Sequence, residues 1–157
     1  VIKLSRAIPV NAPGMPPLTR SDVFEGLVMK ANNALPFVPS ITHCEVVERR
    51  SPRQFVRDID LRGERMRELI TLEPETRVTF ERLAGSVSGT IVNAIEEDAD
   101  GNLSLRFSFD LVPDGIAEGS VEERAYARTM ESSYLAAVDA TLNAIRQVAL
   151  GKVRSQP

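Results

Sequence analysis

Tryptophan is missing from this chain, and cysteine and histidine occur once each, as Cys44 and His43. One cysteine excludes an intrachain disulfide and fits a reducing compartment, so a cytoplasmic protein is expected. One histidine and one cysteine leave no ordinary zinc site. Neighbours on a strand point to opposite faces, so His43 and Cys44 do not form a catalytic dyad either. Cys44 reads as a small buried hydrophobe and His43 as exposed. No apolar run reaches the ~20 residues that cross a bilayer. The stretch Val1 to Val10 is interrupted by Lys3, Ser5, Arg6 and Pro9, which breaks a signal-peptide core. An excess of one charge is also missing: 19 bases against 22 acids give a net charge of -3. Without a basic excess, nucleic acid is not an expected partner.

Motifs that carry chemistry are equally scarce. Gly85-Ser86-Val87-Ser88-Gly89 puts Val87 where a nucleophile elbow holds its serine, and it lacks the Gly-Lys of a phosphate loop. Glu96, Asp98, Asp100 and Gly101 begin like a calcium loop, but Phe107 stands where the closing glutamate belongs. Asp100-Gly101 therefore reads as a hairpin turn. Arg49, Arg50 and Arg53 read as a solvated hairpin tip. Neither metal nor cofactor is expected.

What is present is ordered structure. The 157 residues are 43% hydrophobic and 26% charged, enough for one domain over 1–157 with its own core. Ile2, Leu4 and Ile8 mark a first strand. Prolines at 9, 13, 16 and 17 keep the next stretch irregular. Thr19 with Asp22 makes a capping box for a helix whose buried face is Val23, Phe24, Leu27 and Val28, ending at Asn32 and Asn33. Pro36 to Ile41 is expected to form a short turn of helix. From there the period changes to two. Cys44 and Val46, then Phe55, Ile59 and Leu61, then Met66, Ile70 and Leu72 alternate with polar residues. Val78 and Phe80, Ile91 and Ile95, and Leu103 to Leu111 continue the pattern. Strict alternation with short turns at Ser51-Pro52, Arg62-Gly63, Pro74-Glu75, Gly85 and Asp100-Gly101 predicts an antiparallel meander. Pro113 to Gly119 is a loop. Ser120 and Glu123 then cap a helix that runs unbroken to Leu150, about 45 Å at helical rise. Its apolar side carries Tyr126, Met130, Tyr134, Ala137, Val138, Thr141, Ile145 and Val148. Gly151 is the expected C-cap, with Lys152 and Arg154 at the negative end of the helix dipole.

A long helix with a wide apolar face and a sheet with one apolar side are each other's only large partner. The fold class is therefore α+β: a curved antiparallel sheet of six to seven strands wrapped around a C-terminal helix. This order resembles the helix-grip fold of the START, or SRPBCC, superfamily, which includes birch-pollen allergen proteins and polyketide cyclases. Within it, Asn11-Ala12-Pro13-Gly14, Leu35-Pro36-Phe37-Val38-Pro39, Arg67-Glu68 with Thr71-Leu72-Glu73-Pro74, and Arg124-Ala125-Tyr126 resemble the AtaL-like subfamily. That subfamily is bacterial and fungal and mostly of unassigned function. The resemblance implies a cavity between sheet and helix for hydrophobic ligands. It carries over no catalytic set.

The pattern of faces supplies the candidate site. Arg57 shares a face with Phe55 and Ile59, and Glu68 shares one with Met66 and Ile70. A two-residue turn at Arg62-Gly63 sets Arg57 opposite Glu68. Either they line a polar part of the cavity, with Arg57 fixing an anion or carbonyl and Glu68 acting as base, or a bulge lets both reach water. Asn93, between Ile91 and Ile95, either meets a ligand or is satisfied internally. Tyr126 and Tyr134 offer a ring and a polar tip, or simply pack. Phe80, Phe107, Phe109, Met66 and Met130 are apolar walls on either reading. Three functions stay open: a binder of a small hydrophobic molecule, an enzyme of the cyclase or hydrolase kind, and a protein-interaction module with a filled core. A homodimer is compatible with all three. Access to the cavity is expected between the Pro113 to Gly119 loop and the Pro36 to Pro39 turn.

Overall fold

The computed structural model describes residues 2–155, with side chains described through residue 151. In chain order the elements are β1 (Ile2–Pro9), α1 (Arg20–Asn32), β2 (Ile41–Ser51), β3 (Gln54–Leu61), β4 (Glu64–Glu73), β5 (Arg77–Ala84), β6 (Val87–Glu97), β7 (Leu103–Pro113) and α2 (Val121–Ser155). The seven strands form one antiparallel sheet in the order β1-β7-β6-β5-β4-β3-β2. The meander β2 to β7 follows from the short turns, and β1 closes it by pairing with β7. This is the expected helix-grip architecture, a curved sheet holding a long C-terminal helix.

Local chemistry explains the joints. Thr19 Oγ1 accepts from the Asp22 amide and the Asp22 carboxylate accepts from the Thr19 amide, a complete capping box for α1. Arg62 and Gly63 both have positive φ, 52° and 82°, the requirement of a tight type I′ hairpin. That turn fixes the register Leu61↔Glu64 and hence Arg57↔Glu68. The irregular segment after β1 is tied down by Asn11, whose side chain accepts from the Leu18 amide (2.7 Å) and donates to the Leu18 carbonyl (3.3 Å). Asp98 Oδ1 accepts from the amides of Asp100 and Asn102, which makes the Asp100-Gly101 segment a hairpin. For α2, Ser120 Oγ accepts from the Glu123 amide at 3.0 Å.

Three expectations need correction. The stretch expected to be a short helix over 36–41 is instead hydrogen-bonded turns that lead into β2 at Ile41: the amides of Phe37 and Val38 both reach the Ala34 carbonyl, and Pro36 and Pro39 donate nothing to extend them. Gly151 does not end α2, which continues through it to Ser155. The side chains of Lys152 and Arg154 lie outside the described residues. His43 is half-buried rather than exposed, with Nε2 3.5 Å from Glu45 Oε2.

The apolar core divides in two. The larger part gathers Val23, Leu27, Phe55, Ile70, Phe107, Leu111, Leu142 and Ile145 between sheet, α1 and α2. A smaller one gathers Ala34, Ile41, Ile59 and Met66 under the 34–41 turn. The helices touch closely at Gly26. A Cβ placed there would fall 2.1 Å from Cγ1 of Ile145, itself buried. Gly26→Ala gains about 1 kcal/mol of helix propensity. Overpacking of this kind costs about 1–3 kcal/mol. A lower urea midpoint for Gly26→Ala is the expected result, and an unchanged or higher one would show that Ile145 moves aside freely.

Candidate functional site

A cavity of about 240 Å³ opens between the two parts of the core. Its apolar walls are Val38, Ile41, Ile59, Leu61, Met66, Phe80 and Ile91 from the sheet side and Met130 and Ala137 from α2. The core is thus not filled. Its polar lining is Lys30, Arg57, Glu68 and Arg82 at depth, Tyr126 and Tyr134 on α2, and Ser40, Arg62, Glu64, Ser86 and Ser133 toward solvent.

The deep residues form one network on three adjacent strands. Arg57 Nε and Nη2 donate to Glu68 Oε1 at 3.0 and 2.9 Å. Arg82 Nε donates to Glu68 Oε2 at 2.8 Å, and its Nη1 lies 2.8 Å from Met66 Sδ. Arg57 Nη1 turns to the carbonyls of Lys30 and Ala31, at 3.2 and 3.0 Å, and so caps the end of α1. The side chains of Arg57, Glu68 and Arg82 are 4%, 2% and 2% exposed, so this triad is desolvated. Lys30 Nζ donates to Asn93 Oδ1 at 2.8 Å and stands over the Phe80 ring, as the Arg57 guanidinium does, at 5.5 and 5.1 Å from its centroid. No carboxylate pairs with Lys30 among the described residues.

Burial sets the protonation states. Alone it would push the Glu68 carboxyl up, but Arg57 and Arg82 outweigh it and hold Glu68 below the usual glutamate range. Burial, with the like charge of Arg57, pulls Lys30 down to about 8 against the opposing pull of Glu68. Burial also pushes the Tyr134 phenol well above its ordinary value, and Tyr126 moves the same way.

Of the residues that the sequence offers, Arg57, Ile59, Met66, Glu68, Phe80, Ile91, Tyr126, Met130 and Tyr134 line the cavity together. Phe55, Ile70, Asn93, Phe107 and Phe109 do not. Phe55 and Ile70 are cross-strand partners within the larger core. The Tyr134 ring lies against Phe107 and Phe109, with centroids 6.3 and 4.9 Å apart, and so stands between those two phenylalanines and the cavity that it lines. Asn93 is buried and satisfied by Lys30. For the reading in which Glu68 acts as a base, the geometry is unfavourable: both oxygens accept from guanidinium groups and its proton affinity is lowered. The loop 113–119 is not part of the lining; exposed Arg62 and Ser86 place the mouth at the tips of the β3–β4 and β5–β6 hairpins, beside Ser40 and Ser133. Arg62 Nη2 donates to Ser133 Oγ, and Glu64 accepts from the Ser86 amide and hydroxyl at 2.6 Å each.

Sequence reasoning missed Lys30 and Arg82. Both were within its reach. Arg82 follows Val78 and Phe80 at period two, and Lys30 follows Val23 and Leu27 at helical spacing.

A family model described as "AtaL: Acetylaranotin biosynthesis cluster protein L" matches residues 4–151. The chain belongs to the AtaL family. Solved structures carry the fold of this AtaL-family chain at low identity. The Zhui aromatase/cyclase from Streptomyces sp. R1128 is 19% identical, with 98% of this chain and 96% of that chain covered, at a TM-score of 0.64. The di-domain aromatase/cyclase StfQ of the steffimycin pathway is 13% identical over 96% of this chain and 52% of its own, at 0.72. A START superfamily protein from Mycobacterium smegmatis is 13% identical over 94% and 99%, at 0.66. No curated protein matches the chain by sequence.

Two stability predictions follow from the network. Glu68→Gln leaves two guanidinium groups buried without a counter-charge, and removal of one partner of a buried pair costs about 3–5 kcal/mol. Chemical denaturation should show a loss of that size. Lys30 binds its proton less tightly folded than unfolded, so its charge opposes folding below pH 8, and stability rises as pH climbs from about 8 toward the unfolded value of 10.5. The full effect is on the order of 3 kcal/mol, partly offset in Lys30→Met by the orphaned Asn93 carbonyl. Lys30→Met should abolish that rise, read from urea midpoints between pH 7 and 10.

Proposed function

We propose that this protein binds a small, mostly hydrophobic molecule in the cavity between sheet and α2. The observation that carries this reading is an apolar-walled space of about 240 Å³ left open inside an otherwise packed core. Interiors normally close such voids, and each unfilled one costs stability. For scale, an apolar cavity of about 150 Å³ holds benzene. This one suits a molecule of about two fused rings, below the usual range of drug-sized pockets. The mouth at Arg62, Glu64 and Ser86 leads past Tyr126 to the guanidinium floor, so a guest would enter apolar body outward and polar head inward.

A cyclase-like enzyme is the second reading. It is favoured by the likeness to two proteins whose titles name them aromatase/cyclases. The lining includes groups that could polarise a carbonyl, Arg82 and Lys30, together with two tyrosine hydroxyls. It lacks a free carboxylate at depth, since Glu68 is committed to the arginines. Binding is therefore the reading that needs the fewest groups to act.

Thermal shift with a panel of bicyclic aromatic compounds should raise the melting temperature of the wild-type protein. Ala137→Leu, which pushes a larger side chain from α2 into the cavity, should remain folded and lose that response. An equal shift in both proteins would place the guest elsewhere. Conversion of a bound polyketone on incubation would promote the second reading.

A further inference from the structure

The cavity floor holds more positive charge than it balances. Lys30, Arg57 and Arg82 face a single buried carboxylate, Glu68. A guanidinium has five N–H donors. Arg57 spends Nε, both protons of Nη1 and one of Nη2 on Glu68 and on the carbonyls of Lys30 and Ala31. Arg82 spends Nε on Glu68 and one proton of Nη1 on Met66. Its Nη2 has no partner among the described residues, although the side chain is only 2% exposed and lines the cavity. Other groups around this point answer the charge only in part. Tyr134 and Tyr126 stay neutral, their phenols raised by burial. Glu64, at the mouth, feels the field of Arg82, but both its oxygens are bound to Ser86 and it makes no ion pair with the floor among the described residues. A buried cation without a carboxylate of its own, lining the same cavity as a half-used guanidinium fork, is the complement of an oxyanion.

We propose that the ligand carries one negative charge on its inner end, a carboxylate or a delocalised oxyanion of similar shape, seated on the free Nη2 of Arg82, with Lys30 supplying the unmatched charge from α1. This rests on the binding role proposed above and specifies its ligand class: an apolar body of about two rings ending in a monoanion. Neutral apolar molecules would fill the walls and leave the floor unsatisfied. Cationic ones would be repelled by it.

Three probes that differ only at the head separate the possibilities: 2-naphthoate, its neutral isostere 2-naphthamide, and 2-naphthylmethylammonium, each titrated calorimetrically into the full chain at pH 7. A charge-assisted bond is roughly twice as strong as a neutral one, so naphthoate should bind roughly tenfold or more tighter than naphthamide, which is about 1.4 kcal/mol. The ammonium should not bind. Lys30→Met should lower the naphthoate-to-naphthamide affinity ratio several-fold, a change that a general loosening of the fold would not produce. Arg82→Lys should collapse the naphthoate-to-naphthamide ratio; if that variant does not fold, the three probes on the wild-type protein and Lys30→Met still decide. Naphthamide binding as tightly as naphthoate overturns the anionic head and leaves the binding role standing. No binding by any of the three overturns both.

Discussion

The rest of the structure is arranged around the contact of Glu68 with two arginines. The carboxylate sits on β4, and its partners sit on the strands to either side, Arg57 on β3 and Arg82 on β5. One acid thus spans three strands at a single level of the sheet. Arg57 adds a second direction, since its Nη1 holds the last carbonyls of α1. The helix end is satisfied by a side chain from the sheet, and the distance between them is set by the length of an arginine. Replacing such a cluster with hydrophobic residues often leaves stability unchanged or improved. Its value to the fold lies in position: it stops α1 from collapsing further onto the sheet at the point where the cavity begins.

The cavity stays open because nothing available can fill it. On the sheet side the central inward positions are charged and already bonded, so they cannot move into the gap. On α2 the residues that face it include Ser133 and Ala137, which are short. Tyr134 could reach across, but its ring is held against Phe107 and Phe109. The larger core is completed further along α2 by Val138, Leu142 and Ile145, against Val23, Leu27 and Phe55. The two parts of the core are therefore separated by a polar floor and a thin stretch of helix, and the space between them inherits apolar walls from both.

Much of this was legible in the sequence, for definite reasons. Period-two alternation identifies the inward face of each strand, and the Arg62-Gly63 pair admits a two-residue turn, so the Arg57–Glu68 pairing could be read from spacing alone. Alternation says which face a residue takes but not how far along the sheet the helix lies against it. That is why Phe55, Ile70, Phe107 and Phe109 face inward as expected yet miss the cavity. Lys30 and Arg82 escaped because a charged residue on an apolar periodicity is easily read as its interruption. Here both are part of the pattern, their cost met only in part by Asn93, Glu68 and the face of Phe80. One border of the mouth was misplaced for a different reason: Val38 of the 36–39 turn lines the cavity as expected, but irregular backbone only marks where a chain can move, and in place of the loop 113–119 the opening is framed by two hairpin tips.

The same network constrains what chemistry the cavity can perform. General acid–base catalysis works best with a group whose proton affinity is near the working pH and which has a free lone pair. Glu68 lacks the first, since two guanidinium groups hold its proton affinity low and occupy most of its lone pairs, and burial keeps the tyrosines protonated. Lys30, drawn down to about 8, is the deep group whose proton exchange comes nearest to neutral pH, yet in its charged form its role is electrostatic. What remains is positive charge fixed at the floor of a mostly apolar cavity. Such a field would favour an anion in its ground state. It would also stabilise an enolate formed from a neutral carbonyl, since charge that develops there meets dipoles that need no reorganisation. Binder and catalyst thus differ at this site by one property of the guest, whether its negative charge is present on arrival or appears during reaction.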